Sequence, residues 1–222
     1  MQATPVQGLF KDKNKLFTEN LPSSAGIQVY NEKLITLQNK EYRSWNPYRS
    51  KLAAALLKGL PPPKIHIDSS ILYLGAATGT TVSHLSDIVK NGVVYAVESS
   101  PIAMKTFLQS TRQRPNIVPL LADANHPDHY ASVINNPVDF LYQDISQRNQ
   151  AEIFIKNMKQ YLKTTGTALF MVKARSIDVA LKPKQAYQRV IQELHQNGLK
   201  VHTILELAPY EKDHAVLAVS YE

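Results

Sequence analysis

Beyond residue 60, short apolar runs alternate with longer amphipathic stretches. The run at 71–74 is continuously apolar, which is typical of a parallel strand covered on both faces. Further strands are predicted at 93–97, 117–121, 138–142 and 167–172, with helices at 80–90, 102–113, 149–163 and 184–197. The last two runs, 201–207 and 215–221, have no helical pattern between them and predict a hairpin. The fold class is therefore α/β, with an open, mostly parallel, doubly wound sheet.

The first 60 residues follow a different pattern. Short β-like runs, such as 27–30 and 33–37, are separated by turn residues and predict a small antiparallel unit. Residues 49–58 are rich in strong helix formers, and Gly59 with the following prolines stops that helix. We predict a small β-rich N-terminal unit over residues 1–48 and a larger domain over 49–222.

Composition limits the class of protein. The 222 residues are 44% hydrophobic and 19% charged, which fits an ordered chain with a real core. There is no cysteine, so disulfides and thiolate chemistry are excluded. No apolar run has membrane-spanning length and the first residues lack a secretory pattern, so we expect a cytoplasmic protein without membrane contact.

The charge is 25 − 18 = +7, and residues 1–60 contribute nine basic against four acidic side chains. Such an excess favours a polyanion, either nucleic acid or an acidic membrane surface, although solubility alone is an alternative explanation.

The ends of the predicted strands carry the candidate chemistry, because ligands on open parallel sheets bind at the carboxyl ends of the strands. Gly75 and Ala76 open a small-residue turn that runs to Gly79 and lets a ligand approach the backbone. Glu98 ends the next strand, where an acid can accept hydrogen bonds from ribose hydroxyls. Alternatively, the glycines form only a tight turn and Glu98 only favours a helix start.

Two more carboxylates follow the next strands. Asp123, followed by Ala124, can accept from an adenine amino group, or it is simply a loop residue. Asp144 ends the fourth strand between apolar residues, where it is either a site residue or a helix cap. Together, these strand ends describe a pocket for an adenosine-containing cofactor without a phosphate loop. That description indicates S-adenosylmethionine (SAM) rather than ATP or NAD.

Several segments closely resemble the sequence signatures of fibrillarin. They read YRSWNPYRSKLAA at 42–54, LYLGAATGTTVSH at 72–84, VYAVE at 94–98, DISQ at 144–147, KARSID at 173–178 and EKDHAV at 211–216. Two departures are mild: the family's usual Asp-Val-Ala-Gln is Asp-Ile-Ser-Gln here, and Thr78 replaces a serine. The glycine–arginine-rich arm of eukaryotic fibrillarins is missing, so the chain looks like the compact archaeal form.

The resemblance implies a class I SAM-dependent methyltransferase fold, with a seven-stranded, mostly parallel sheet that ends in an antiparallel hairpin. The implied reaction is 2′-O-methylation of ribose in rRNA and tRNA, directed by a box C/D guide RNA. The implied protein partners are a Nop-domain scaffold and a kink-turn-binding protein of ribosomal type, with the scaffold docked on the N-terminal unit and nearby surface helices. A SAM-dependent protein (glutamine) methyltransferase and a non-catalytic assembly subunit remain as alternatives.

The resemblance also implies site residues. The catalytic group maps onto Lys51, Asp144, Lys173 and His214. The implied SAM contacts are Thr80, Thr81, Glu98, Ser99, Asp123, Ala124, Asp144, Ile145, Ser146 and Gln147, in addition to the turn at Gly75 and Ala76. Each of the catalytic positions also has an ordinary structural explanation, such as a solvated lysine or a turn histidine. We predict no metal site, because His84, His126 and His129 lack a ligand pattern and read as structural or solvent-facing.

Overall fold

The computed structural model describes all residues from 1 to 222 and contains two β-sheets. The N-terminal sheet consists of five strands, β1 (Gln2–Ala3), β2 (Leu9–Asp12), β3 (Lys15–Glu19), β4 (Leu34–Leu37) and β5 (Lys40–Trp45). All its pairings are antiparallel, in the order β1-β2-β3-β5-β4. The predicted small antiparallel unit is confirmed.

The larger sheet has seven strands and six associated helices. Its strands are β6 (Ser70–Leu74), β7 (Val93–Glu98), β8 (Ile117–Leu121), β9 (Val138–Gln143), β10 (Leu162–Lys173), β11 (Leu199–Glu206) and β12 (His214–Tyr221). The helices are α1 (Lys51–Leu57), α2 (Thr80–Ile88), α3 (Pro101–Thr111), α4 (Gln150–Tyr161), α5 (Ala174–Ile177) and α6 (Pro183–Gln196). Two short 3-10 turns, Pro22–Ser24 and Pro127–Tyr130, complete the structure.

The strand order of the larger sheet is β11-β12-β10-β9-β6-β7-β8. Strands β8, β7, β6, β9 and β10 are parallel, whereas β12 is antiparallel to both β10 and β11. After β6, the chain adds β7 and β8 on one side of β6, and it then returns to add β9 on the other side of β6. This reversal between β6 and β9 is the switch point at which open sheets bind ligands, and it confirms the predicted α/β class with a terminal hairpin.

The apolar runs are explained by burial on both faces of the larger sheet. Within β6, Leu72 and Leu74 pack into one buried cluster, while Ile71 and Tyr73 pack into the other. Because successive side chains point to opposite faces, a strand covered on both sides must be apolar at every position. None of the helices combines the length and apolar character required to cross a bilayer.

One predicted strand is wrong. Residues 27–30 form no strand, because the carboxylate of Glu32 binds the backbone amides there. The amide of Val29 donates to Glu32 at 3.0 Å and the amide of Tyr30 donates at 2.8 Å. These donors are therefore unavailable to a neighbouring strand, and the segment turns around the buried acid.

A buried ionic network joins the N-terminal sheet to α2. Asp87 on α2 accepts from the guanidinium groups of Arg43 at 2.7 Å and Arg114 at 2.6 Å, and from the hydroxyl of Thr18 at 2.6 Å. Arg43 also pairs with Glu32, and both of these side chains are fully buried. Removing one member of such a network would leave a charge buried without its partner.

His84 belongs to the same interface and is completely buried. Its Nδ1 lies 2.7 Å from the hydroxyl of Thr18, and its Nε2 lies 2.7 Å from the hydroxyl of Tyr30. Burial, reinforced by the nearby charges of Arg43 and Arg114, holds the pKa of His84 well below its usual value of 6.5. The predicted structural role of His84 fits this position.

Candidate active site

A left-handed turn after β6 shapes the floor of the candidate site. Gly75 has φ of +86°, and a side chain at this position would overlap the carbonyl oxygen of Asp144. The amide of Asp144 in turn donates to the carbonyl of Leu74 at 2.9 Å. The ends of β6 and β9 are therefore packed as closely as backbones allow, which requires glycine at position 75.

A cleft of about 260 Å³ opens beside this turn, at the carboxyl ends of the parallel strands. It is lined by Gly75, Ala77, Val97, Glu98, Ser99, Ala122, Asp123, Ala124, Asp144, Ile145, Ser146 and Gln147. Three of these side chains are carboxylates and none is cationic. The cleft therefore attracts positively charged groups and disfavours phosphates.

The two outer carboxylates are fixed by the local backbone. Glu98 accepts from the amide of Ala77 with one oxygen and from the amide of Ser100 with the other, each at 2.8 Å. Asp123 accepts from the amide of Asn125 at 2.9 Å, and this hydrogen bond is the main reason that its pKa lies below the ordinary value. A carboxylate oxygen has two acceptor sites, so both groups can still accept from a ligand.

The cleft contains most but not all of the residues predicted to contact a cofactor. Ala76, Thr80 and Thr81 are not among its lining residues. Thr81 is buried and donates to the hydroxyl of Ser50 at 2.9 Å, so it supports the start of α1 instead. Conversely, the lining residues Ala77, Val97 and Ala122 carry no polar side chain that would have singled them out in the sequence. The contacts that individual residues make with a cofactor stay a prediction.

An ion pair brings the first two predicted catalytic residues together. Lys51 is the first residue of α1, which is capped by the hydroxyl of Ser50. Its ammonium nitrogen lies 2.8 Å from Oδ2 of Asp144, at the edge of the cleft. Both side chains are about one-fifth exposed, so the pair can be reached from solvent.

Lys173 and His214 are the other two predicted catalytic residues, and they face each other across neighbouring strands. Lys173 ends β10 and is paired in register with His214, which begins β12. Since β10 also pairs with β9, Lys173 and Asp144 lie at the same edge of the sheet. The ammonium group of Lys173 has neither a hydrogen bond nor an ion pair within the protein, so it is available to a substrate.

His214 is mostly buried and has a defined tautomer. Its Nδ1 lies 2.8 Å from the carbonyl of Lys212, which can only accept, so Nδ1 donates and Nε2 is left as an acceptor. Burial lowers the pKa of His214, and the charge of Lys51 lowers it further. His214 lies in register with the end of β10, which borders β9, so it lies at the same edge of the sheet as Asp144 and its partner Lys51.

Gln150 connects Lys173 of the catalytic group to the loop that lines the cleft, and no sequence pattern predicted this role. Its fully buried amide group accepts from the amide of Lys173 at 3.1 Å and donates to the carbonyls of Lys173 and Gln147, each at 3.2 Å. Its own carbonyl accepts from the side chain of Gln143 at 2.6 Å. One side chain therefore holds the end of β10 and the end of the cofactor-facing loop in a fixed relation.

No group of three or more His, Cys, Asp or Glu side chains is arranged to hold a metal ion. His126 and His129 are exposed and stack on each other with ring centroids 5.1 Å apart. Neither ring lines the cleft.

Comparison with known proteins places this geometry in a family. The fibrillarin family model matches residues 5–222. A fibrillarin-like rRNA/tRNA 2′-O-methyltransferase of Methanocaldococcus jannaschii is 46% identical over 197 residues, which cover 89% of this chain and 85% of that protein. The corresponding protein of Methanosarcina mazei is 48% identical over 214 residues, covering 94% and 92%.

Three solved structures are also similar. The fibrillarin pre-rRNA processing protein of Methanococcus jannaschii has a TM-score of 0.90 at 44% identity, covering 94% of this chain and 89% of that one. A fibrillarin in complex with Nop5p has a TM-score of 0.88 at 40% identity, covering 97% and 98%. Aeropyrum pernix fibrillarin with natively bound S-adenosyl-L-methionine has a TM-score of 0.83 at 42% identity, covering 92% and 88%. From its sequence, its sheet topology and these relatives, the chain belongs to the fibrillarin family.

Proposed function

We propose that this protein transfers a methyl group from SAM to the 2′-oxygen of ribose in rRNA and tRNA, within a guide-RNA complex. The observation that carries the proposal is a cleft with three carboxylates and no cationic side chain, placed beside a cluster of two lysines and a histidine. The cleft suits a cationic nucleoside cofactor, and the cluster suits the sugar and phosphate of a polyanion. The relatives' activity as rRNA/tRNA 2′-O-methyltransferases supports the same assignment.

The donor and acceptor chemistry of the cleft fits SAM. Glu98 can accept from ribose hydroxyls and Asp123 from an adenine amino group, since both keep free acceptor sites. Asp144 would face the positively charged end of the cofactor. The left-handed turn at Gly75 leaves the backbone open to close approach. When bound, SAM supplies an electrophilic methyl group, and it is a relative's structure that contains it.

The residues of the chain then prepare the attacking oxygen. A ribose hydroxyl is a poor nucleophile at neutral pH and must lose its proton as it attacks. Asp144, anchored by Lys51, orients that hydroxyl, accepts a hydrogen bond from it and takes up its proton as the oxygen attacks. The free ammonium of Lys173 stabilises the negative charge that develops on the oxygen. His214 offers Nε2 as an acceptor to the sugar, and much of the rate comes from holding the oxygen in line with the methyl group.

Target choice requires partners, because the chain shows no aromatic-rich RNA-reading motif. We propose a box C/D guide RNA that pairs with the target, a Nop-domain scaffold and a kink-turn-binding protein. The scaffold is supported by a similar fibrillarin that was solved in complex with Nop5p. In this proposal, residues 1–48 form the unit on which the scaffold docks, and residues 49–222 form the methyltransferase domain.

The test is reconstitution of the complex with labelled SAM, a guide RNA and its complementary target, followed by mapping of the methylated position. We expect one 2′-O-methylated ribose that moves by one nucleotide when the guide is shifted by one nucleotide. Methyl label on a protein glutamine, or on a base, would overturn the proposed reaction. An absence of SAM binding in calorimetry would instead identify the chain as an assembly subunit without catalysis.

A further inference from the structure

An exposed aromatic pair lies on the two chain segments that precede Lys51 and His214, and neither the cofactor cleft nor the catalytic group uses it. Tyr48 and Tyr210 meet edge to face with ring centroids 5.1 Å apart and an interplanar angle of 67°. Tyr48 is 64% exposed, which is unusual for a large aromatic side chain, and Tyr210 is half-buried. Neither hydroxyl has a hydrogen-bond partner within the protein.

Tyr48 and Tyr210 lie in segments of the chain that also contain predicted catalytic residues. Tyr48 is three residues before Lys51, and Tyr210 is four residues before His214. The two segments are tied together again where the ammonium of Lys58 binds the carbonyl of Ala208. The tyrosine pair is therefore linked through two chain segments to Lys51 and His214.

The loops that present the rings are ordered before any ligand arrives. The amide of Tyr48 donates to the side-chain oxygen of Asn46 at 2.9 Å, which closes a turn directly before α1. The amide of Tyr210 donates to the carbonyl of Leu207 at 3.0 Å, and the amide of Leu207 donates to the carbonyl of His214 at 2.9 Å. Little conformational freedom is lost when something binds to rings that are already held in place.

We propose that Tyr48 and Tyr210 form a contact surface for the ribose edge of the nucleotides that flank the methylated position. This inference rests on the proposed RNA methyltransferase function. Paired RNA exposes its 2′-hydroxyls in a wide, shallow minor groove, where side chains reach sugars rather than base faces. An exposed ring packs against the sugar, and its free hydroxyl exchanges a hydrogen bond with the neighbouring 2′-hydroxyl.

The surroundings favour RNA over a protein partner. Arg49 and Lys212 are exposed next to the two tyrosines and have no ion-pair partner within the protein, so they can bind phosphates. Because 2′-hydroxyls are common to all RNA sequences, this surface recognises RNA without reading its bases.

The experiment combines protein variants with altered target RNAs in the reconstituted complex, using kcat/KM for methyl transfer. Tyr48→Phe removes only the hydroxyl and should lower kcat/KM about 2- to 10-fold. Tyr48→Ala also removes the ring and should lower it by at least about tenfold. Ile204→Ala is the matched control. Ile204 is also a large exposed hydrophobic side chain, but it lies on β11, and its shortening should leave the rate unchanged.

The decisive readout uses targets in which each nucleotide flanking the methylation site is changed to 2′-deoxyribose. At one flanking position, the loss of the 2′-hydroxyl should slow the unaltered protein by a factor similar to that of Tyr48→Phe. The same deoxy target should slow the Tyr48→Phe variant very little, because the RNA change and the protein change remove the same hydrogen bond. Additive effects would overturn the ribose contact. Loss of scaffold binding by Tyr48→Ala would overturn it in favour of a protein contact.

The measurements distinguish a failure of the proposed methyltransferase function from a failure of the tyrosine contact alone. If the unaltered complex methylates no ribose, the proposed function and this inference fall together. If it methylates the guided ribose and Tyr48→Ala is equally fast, only the inference falls. SAM affinity measured by calorimetry and thermal stability should be the same in all Tyr48 variants, and a fall in either that accounts for the lost rate would also overturn the inference.

Discussion

Lys51 and Asp144 form a 2.8 Å ion pair although 93 residues separate them in the chain. The pair connects the first residue of α1 with the loop that follows β9. The carboxylate of Asp144 is thus held by Lys51 of α1, a helix that precedes the larger sheet in the chain, and not by a residue of β9. An orientation fixed from two directions is what a group that must position a hydroxyl requires.

Replacing Asp144 with alanine should lower the single-turnover rate of methyl transfer by about 10²- to 10⁴-fold, the range for a group that handles a proton in the transition state. Asp139→Asn is a suitable control, because Asp139 lies on β9, the strand that precedes Asp144, but pairs with Lys163 outside the cleft. An Asp144→Ala protein with normal turnover would remove the role assigned to this carboxylate.

The ion pair itself can be tested with Lys51→Met. We expect a slower rate, because Asp144 loses its anchor, and we expect the double variant Lys51→Met/Asp144→Ala to be little worse than Asp144→Ala alone. Such non-additivity is the mark of residues that act through one contact. If the two losses simply multiply, Lys51 and Asp144 work independently.

Glu98→Gln should weaken SAM binding by about 10- to 100-fold, since hydrogen bonds to a charged group contribute about 1.5–3 kcal/mol. Isothermal calorimetry with the purified chain measures this directly. Asp128→Asn alters an exposed acid outside the cleft and should bind SAM normally. Unchanged affinity in Glu98→Gln would mean that this carboxylate only supports the backbone of Ala77 and Ser100.

Gln150→Leu keeps the size of the side chain but removes its hydrogen bonds to Lys173 and Gln147. The amide of Lys173 and the carbonyls of Lys173 and Gln147 then lose a partner, which should cost about 1–3 kcal/mol of unfolding free energy. If Gln150 also positions the site, the rate at saturating SAM should fall further than the loss of folded protein explains. Denaturant unfolding and single-turnover kinetics on the same samples separate the two effects.

Acid should destabilise the fold before its carboxylates titrate. The pKa of His84 is depressed in the folded state. Below about pH 6.5, His84 therefore binds a proton in the unfolded chain before it does so in the folded chain. Stability is then complete above that pH and falls as the pH decreases below it. His214 contributes in the same direction, because its pKa is lowered as well.

The corresponding measurement is the free energy of unfolding between pH 5 and pH 8. His84→Gln should flatten the slope over this range, whereas His195→Gln, which changes an exposed histidine, should not. An identical slope in His84→Gln would show that other groups cause the pH dependence.

Periodicity found the larger sheet because its strands are buried on both faces, as at Ile71 and Leu72. It missed β5, whose sequence KEYRSW looks polar, because no local pattern announces that Arg43 will be buried against Asp87. The strand 27–30 was wrong for a related reason, since Glu32 binds the amides on which a strand would depend. A long-range ion pair overrode the local preference at β5, whereas local hydrogen bonds to a side chain did so at 27–30.

The candidate site was easier to predict where its residues end neighbouring strands. Glu98 and Asp144 converge because the topology of a parallel sheet brings strand ends to one edge. Gln150 was not foreseen, because its importance comes from backbone groups 23 residues away. Nor did any sequence pattern show that Tyr48 and Tyr210 would meet.

The shared coordination of Asp87 has a consequence for anyone who recombines members of this family. One carboxylate satisfies Thr18 and Arg43 from the first sheet and Arg114 from the loop after α3. A chimera that exchanges only the first 48 residues for those of a homologue keeps Asp87 and Arg114 but replaces Thr18 and Arg43. Any buried charge that the new segment does not pair is then left without a partner. The amino-terminal segment and helix α2 must therefore be transplanted, and must diverge, as a set.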